Sequence, residues 1–362
     1  MHHVLIVGAG KIGSLIAFLL ARSNHYSVYL ADLDEKNPYT RQLAGLKNIQ
    51  YVIMDARDTH TISSFISKHA QIKAIVSSLP FYCNTPIAVL AAEHQLHYFD
   101  LTEDITTTQT VEKIAHATNS TFVPQCGLAP GFISIIANQL MKNFPTLDTV
   151  KMRVGALPIN ISNALQYSLT WSTDGLINEY GNLCRAIENN QEVLLLPLEG
   201  LEEIKIDGLT YEAFNTSGGI GSLVQTYLGR VKQLSYKTIR YPGHCAKMKF
   251  LMNDLRLNEE REVLKHIFEQ AIPKTYQDVV LVYVSVMGLQ DGQLIEENYV
   301  KKFYPKKIEG FRWSAIQLTT ASEVCAVIDL VFQNPEKYSG LVRQEQFTLE
   351  DIVSNQFGQY YA

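Results

Sequence analysis

The sequence has little that would tie the chain to a disulfide framework, a nucleic acid or a bilayer. Its five cysteines (Cys83, Cys126, Cys184, Cys245, Cys325) are scattered and odd in number. None belongs to a Cys-x-x-Cys pair, so neither a disulfide scaffold nor a structural zinc site is expected. Basic residues number 31 against 36 acids, a net charge of −5. Without a Lys/Arg cluster there is no concentrated positive charge for phosphate neutralisation, so no nucleic-acid partner is expected. No apolar run approaches the ~18 residues of a membrane helix. Met1-His2-His3 leads straight into an apolar strand and not into a signal peptide, so a cytoplasmic protein with no membrane partner is the expectation. Internal repeats and low-complexity linkers are missing too. What remains is ordinary: 362 residues, 46% hydrophobic, with 21 Gly and 12 Pro. That excludes collagen-like and disordered classes and allows two to three domains at roughly 150 residues each.

The first forty residues carry the clearest pattern. Val4-Leu5-Ile6-Val7 is a continuous apolar run, as in a parallel strand buried on both faces. Gly8-Ala9-Gly10-Lys11-Ile12-Gly13 follows, then a helical stretch from Ser14 to Arg22, then a second strand from Ser27 to Ala31 that ends at Asp32. Strand, GxGxxG, helix, strand and acid form one dinucleotide-binding unit. Gly8 permits the tight turn, Gly10 lets a pyrophosphate approach the backbone, and Gly13 lets helix and strand pack closely. Lys11 and Ile12 open the helix, whose N-terminus attracts phosphate. Asp32 stands where a carboxylate accepts from the adenine ribose hydroxyls. It repels a 2′-phosphate, so NAD is expected over NADP, although Lys36 and Arg41 lie nearby.

Strands are expected at 48–54, 72–79, 97–101 and 121–125, with helices at 86–94 and 107–117. Ligands in such sheets lie beyond the carboxyl ends of the strands. Asp55 and Ala56 are therefore candidate adenine neighbours, and Ser77, Ser78 and Leu79 candidate neighbours of the nicotinamide ribose. Gly127, Leu128 and Ala129, in a loop with two glycines and two prolines, are candidates for the nicotinamide. After about residue 150 the pattern alternates, as in antiparallel strands with one buried face. Helices are expected at 173–187, 244–255 and 259–271. Ser314 reads as the N-cap of an apolar helix at 315–332. The expected fold is α/β: a doubly wound Rossmann domain (1–131 plus 314–362) with an inserted α+β domain (132–313).

Several segments carry a resemblance. GAGKIG, Ser77-Ser78-Leu79-Pro80, Cys126-Gly127-Leu128-Ala129-Pro130-Gly131, the stretch from Thr170 to Tyr180 and Lys237-Thr238-Ile239-Arg240-Tyr241-Pro242-Gly243-His244 resemble the saccharopine dehydrogenase family, nearest its lysine 6-dehydrogenase-like branch. The resemblance implies an NAD(P)-dependent oxidoreductase acting at a C–N bond of a lysine-type amino acid, with an inserted domain that often mediates a homodimer. Ala129 departs from the family's saccharopine reductases, which usually carry an acid there.

Such chemistry needs a deprotonated amine, a proton acceptor and a clamp for the substrate carboxylate. Asp100, at a strand end, is the leading base or orienting candidate. Cys126 is a candidate for contact with substrate or nicotinamide, or an inert buried thiol. His244 is either a proton shuttle or a helix cap. Arg240 is the candidate clamp, because a guanidinium offers parallel donors to a carboxylate and its position matches the family's substrate-side strand end. Glu179 and Asp174 are candidates for the substrate ammonium, and Trp171 and Tyr241 for an apolar slot. His94 and His97 have HxxH spacing without further ligands, so no metal is expected. Two other readings stay open. A saccharopine or carboxynorspermidine dehydrogenase would want a second basic clamp, from Arg153, Arg185 or Lys237. A non-catalytic NAD-binding sensor would bind cofactor without turnover.

Overall fold

The computed structural model describes residues 1–34, 37–43 and 45–361, without the side chains of residues 41 and 42. Lys36 and the Arg41 side chain thus lie outside the described residues. The chain divides into two compact units, Met1–Gly131 with Gln317–Ala362, and Phe132–Ile316.

The first unit is built on six strands: β1 (His2–Val7), β2 (Tyr26–Asp32), β3 (Ile49–Ile53), β4 (Ile72–Ser77), β5 (His97–Asp100) and β6 (Phe122–Val123). Their order is β3-β2-β1-β4-β5-β6 and every pair is parallel. The crossovers are α1 (Lys11–Arg22), α2 (Thr59–Lys68), α3 (Asn84–Glu93) and α4 (Ile105–Ala115). β1 is central, and Val4 to Val7 are all buried, which accounts for the unbroken apolar run. Asp58 and Asp104 cap α2 and α4 by accepting from Thr61 N and Thr107 N. α2 escaped the sequence reading because only Ile62 and Ile66 are buried along it. The β6 edge is covered by the C-terminal tail, where Val342 N donates to Phe122 O at 2.9 Å and Phe122 N to Gly340 O at 2.8 Å.

The second unit holds α5 (Ile133–Met141), β7 (Thr146–Pro158), α6 (Thr173–Gly181), β8 (Cys184–Glu188), β9 (Gln191–Leu195), β10 (Glu202–Ile206), β11 (Leu209–Asn215), α7 (Leu223–Tyr227), β12 (Val231–Arg240), α8 (His244–Lys249), α9 (Arg261–Ala271), β13 (Asp278–Gln290), β14 (Gln293–Phe303), β15 (Lys306–Ile308) and β16 (Phe311–Trp313). The main sheet runs β10-β11-β12-β7-β13-β14, with β8 and β9 branching from β12. It is mixed and not antiparallel throughout: β7 pairs β12 in parallel. β7 is internal and buried almost continuously from Thr149 onward, so its alternation marks a central strand rather than a one-faced one.

The expected helix 173–187 stops at Gly181. Cys184–Glu188 and Gln191–Leu195 form a hairpin through Asn189-Asn190, both at positive φ (51° and 63°). Paired positive φ suits a two-residue hairpin turn, and asparagine tolerates it. Asp207-Gly208 and Asp291-Gly292 do the same for β10–β11 and β13–β14.

The chain leaves the second unit along α10 (Ala315–Gln333), and α11 (Leu349–Ser354) follows near the end. By length and composition α10 could cross a membrane, contrary to the sequence expectation, but most of it is buried inside the protein, as in a core helix. Its first amides are met by Asp278, which is fully buried: Ala315 N donates to Oδ1 at 2.7 Å and Ile316 N to Oδ2 at 3.0 Å. Asp278→Ala should therefore lower unfolding stability in urea by about 1–3 kcal/mol, with Asp278→Asn recovering part of the loss. Unchanged stability in the alanine variant would contradict this cap.

Candidate functional site

The glycine turn after β1 shows three different reasons for glycine. Gly8 has φ of +101°, and a Cβ there would stand 2.5 Å from the Ser78 carbonyl oxygen and 3.2 Å from Leu79 Cδ2. At Gly13 a Cβ would overlap the Gly8 carbonyl oxygen and meet Ser78 Oγ at 3.1 Å. Gly10 is unlike both: its φ is an ordinary −68°, and a Cβ there would meet nothing within 4 Å. Neither backbone nor packing asks for glycine at this position. Ser14 N is bonded to Gly10 O, so the Ile12 and Gly13 amides precede the first available helix carbonyl. Open space in front of a helix N-terminus is what a pyrophosphate requires.

Asp32 closes on this turn. Its Oδ2 accepts from Ala9 N at 2.6 Å and from Asn37 Nδ2 at 3.3 Å, and its Oδ1 accepts from Asp34 N at 3.1 Å. Gln317 of α10 donates to Lys11 O at 2.9 Å. Gly8, Gly10, Lys11, Gly13, Asp32, Ser78 and Leu79 thus gather at the ends of β1, β2 and β4. Ile12 opens α1 with them. Ser77 does not join them, because its hydroxyl donates inward to Asn84 Oδ1 at 2.7 Å and both residues are buried. Asp55 is held by Arg57 at 2.8 Å, which takes its carboxyl down to about 2, and Ala56 packs against the core of this unit.

At the end of β5, burial favours the orienting reading of Asp100 and the inert reading of Cys126. Asp100 does not face open space; it is fully buried. Its Oδ2 accepts from Tyr98 OH at 2.8 Å, and its Oδ1 from Thr102 N at 3.0 Å and Gln125 N at 2.9 Å. Burial lifts its carboxyl to about 6 against those three bonds. Asp100 orients the strand end and the 125–131 loop and is not placed as a base. Cys126 is also buried. Its Sγ donates to Val123 O and accepts from Gln344 Nε2, both at 3.4 Å, and burial pushes the thiol well above its ordinary value. It is a neutral packing thiol rather than a nucleophile. Gly127, Leu128 and Ala129 follow it in the loop, and Gly127 N donates to Glu323 of α10 at 2.5 Å. Glu323 was not anticipated; an acid in the middle of the apolar 315–332 run was the signal for it.

In the second unit β12 delivers Arg240, which is 3% exposed. Its Nε donates to Tyr180 OH at 2.8 Å and its Nη1 to Ile239 O at 2.9 Å, and the guanidinium lies 5.0 Å from the Tyr167 ring. Neither hydrogen bond uses Nη2. Glu179 is buried on α6 and electrostatically coupled to Arg240. His244 is buried beside them. Its Nδ1 lies 2.7 Å from Leu165 O, so it carries the proton, and Nε2, 3.2 Å from Tyr180 OH, accepts. Burial and the nearby Arg240 charge lower His244 to about 3. With both nitrogens engaged and the ring neutral, it is no proton shuttle; it orients Tyr180, which orients Arg240. Tyr241 is spent on Pro158 O (2.9 Å) and stacks on Tyr211. Trp171 is half-buried against the apolar cluster around Tyr167 and Tyr180. Asp174 pairs with Lys265 at 2.8 Å.

The candidates for a second clamp are each matched by an acid. Arg153 (2.5 Å) and Lys237 (2.8 Å) share Glu202, and Arg185 bonds Glu192 at 2.6 Å. His94 and His97 serve Ser63 Oγ and Thr121 N separately. Among the described residues no group of three or more His, Cys, Asp or Glu gathers as metal ligands would.

Residues 4–123 match the family model of the saccharopine dehydrogenase NADP binding domain, and residues 127–359 that of the saccharopine dehydrogenase C-terminal domain. Among solved structures, the apo saccharopine dehydrogenase (L-Glu forming) of Saccharomyces cerevisiae matches with a TM-score of 0.76 at 14% identity, over 98% of this chain and 96% of its own. A myo-inositol dehydrogenase of Corynebacterium glutamicum matches at 0.49 and 10% identity, over 99% and 95% of the two chains. A DAP dehydrogenase of the same organism matches at 0.47 and 11%, over 99% and 98%.

The three glycines give a discriminating test. Gly10→Ala should keep stability within about 0.5 kcal/mol of wild type yet weaken dinucleotide binding about tenfold or more, through lost charge-assisted bonds. Gly13→Ala should lose about 3 kcal/mol or more in stability from the forced overlap. Equal effects on folding and binding in both variants would sink this assignment.

Proposed function

Because the chain belongs to the saccharopine dehydrogenase family, oxidoreductases with a dinucleotide-binding domain, we propose that it is an NAD-dependent dehydrogenase oxidising a C–N bond of a lysine-type amino acid. The observation that carries the substrate class is Arg240, a buried guanidinium fixed through Nε and Nη1 with Nη2 left over. A buried cation oriented by two partners favours an anion at its remaining face, and the planar fork favours a carboxylate. Glu179, coupled to the same guanidinium, brings the negative charge that an ammonium group seeks. The two together read as a holder for an amino acid. His244 and Tyr180 keep the guanidinium from rotating.

In the first unit, the Gly10 space and the α1 N-terminus receive the pyrophosphate, and Asp32 receives the ribose diol in place of its present bond to Ala9 N. When bound, the dinucleotide supplies the hydride acceptor. A carboxylate at this place repels a 2′-phosphate, which supports NAD over NADP. Ser78, Leu79 and the Gly127-Leu128-Ala129 loop stand at the nicotinamide end. A substrate with one α-carboxylate fits the Arg240 guanidinium better than a multiply charged opine, whose further anions would meet Arg153, Lys237 and Arg185 already paired with Glu202 and Glu192. We propose a homodimer, as the family resemblance implies, and a cytoplasmic location.

A panel of amino acids and their aldehyde adducts, read by nicotinamide absorbance with NAD and with NADP, tests the reading. Reduction of NAD by a diamino acid is expected. Binding without turnover of any amine would favour the sensor instead. Arg240→Gln should raise KM about tenfold or more, as expected for loss of a charge-assisted contact; an unchanged KM would remove the clamp. Asp32→Ala should shift preference toward NADP by about tenfold, on the order of one charge-assisted contact; an unaltered ratio would show that Asp32 does not set cofactor choice.

A further inference from the structure

The 125–131 loop is held from two sides. β5 holds it through Asp100, and α10 holds it through Glu323. Gly127 has φ of +113°, the left-handed side where glycine is favoured. Its amide donates to Glu323 Oε2 at 2.5 Å, and Thr320, one turn earlier on α10, fills the space beside it. Glu323 is fully buried, and its Oε1 has no hydrogen-bond partner among the described residues. That oxygen and the Gln125 carbonyl oxygen lie 3.1 and 3.2 Å from one point, the place a Cβ on Gly131 would take. Both ends of the loop therefore converge on a single carboxyl group.

Among the described residues no cation offsets Glu323. The titratable groups coupled to it are the Cys126 thiol from the loop and Cys325 on its own helix, with Asp100 behind Cys126. All are neutral or negative. A desolvated carboxylate with one bare oxygen and no counter-ion is disfavoured against the neutral acid. The neutral acid keeps a carbonyl oxygen for Gly127 N–H, and its O–H carries no charge into the small space that Oε1 and the Gln125 carbonyl both border.

We propose that Glu323 is a positioning residue which, as the neutral acid, fixes the 125–131 loop in the conformation that receives the nicotinamide end of the dinucleotide. Only this last step rests on the proposed function. Burial pushes Glu323 up to about 8, opposed only by the Gly127 bond. Raising the pH through that value removes the proton, places a charge in a pocket without a cation and loosens the grip. If only the neutral form is competent, affinity falls with the neutral fraction, about thirtyfold by pH 9.5.

The test compares wild type, Glu323→Gln and Glu323→Leu by calorimetry with NAD and NADP between pH 6.5 and 9.5. Glu323→Gln keeps an acceptor and a donor and cannot ionise. It should bind like wild type at pH 7 and hold its affinity at high pH where wild type loses it, while Glu323→Leu should bind about tenfold more weakly throughout. Parallel pH profiles for wild type and Glu323→Gln would overturn the proposal. Amide hydrogen exchange of the 125–131 segment in the unliganded proteins separates this from a failure of the functional reading. Equal protection in wild type and Glu323→Gln at pH 7, with about tenfold faster exchange in Glu323→Leu, supports the grip even if no dinucleotide binds. Equal protection in all three overturns it.

Discussion

Helix α1 is pressed onto the turn that precedes it. Gly13 sits so close to the Gly8 carbonyl that no side chain fits, and Gly8 in turn lies against the backbone of Ser78. The contact brings the ends of β1 and β4 together with the helix N-terminus. It also leaves an opening before Gly10 that no described residue fills. Gly10 is only half-buried, and a glycine there keeps the helix N-terminus open to a phosphate. Asp32, Asn37 and Gln317 then arrange themselves around the same turn through its backbone.

The second unit solves a different problem, that of a guanidinium in a nearly dry place. A buried cation is tolerated when its donors are met and a counter-charge is near. Arg240 has Tyr180 and its own strand carbonyl as acceptors, aromatic faces at Tyr167 and Tyr180, and the field of Glu179. His244 takes part only as a neutral ring. Its proton goes to Leu165 O, so its other nitrogen is free to accept from Tyr180. The direction of each bond is thereby fixed from the loop to the guanidinium. Depressed basicity here reflects structural service, while the charge that can meet a substrate stays on arginine.

Much of the first unit was legible because local signals there agree with the final packing. Apolar runs, the glycine spacing and the acid after β2 each have one structural use. The second unit was less so. Cys184–Glu188 reads as a helix continuation until the Asn189-Asn190 turn is seen as a hairpin signal, and the alternation of β7 hides its central position. Among site residues, the sequence left two readings open for the side chains of Asp100, Cys126 and His244. Asp100, Cys126 and His244 carry reactive groups, but burial and local bonds decide what those groups do, and neither is visible in spacing. Glu323, Tyr180 and Asp278 were missed because their partners lie dozens to nearly two hundred residues away in sequence.

A dinucleotide seated against the Gly10 opening with its ribose at Asp32 is the first requirement of the proposed chemistry. Titration of the wild-type protein with NAD and with NADP measures this directly. Saturable binding at one dinucleotide per chain, tighter for NAD, is the predicted result. Absence of a binding heat for both dinucleotides at several temperatures would contradict it, and tighter binding of NADP would contradict the part assigned to Asp32.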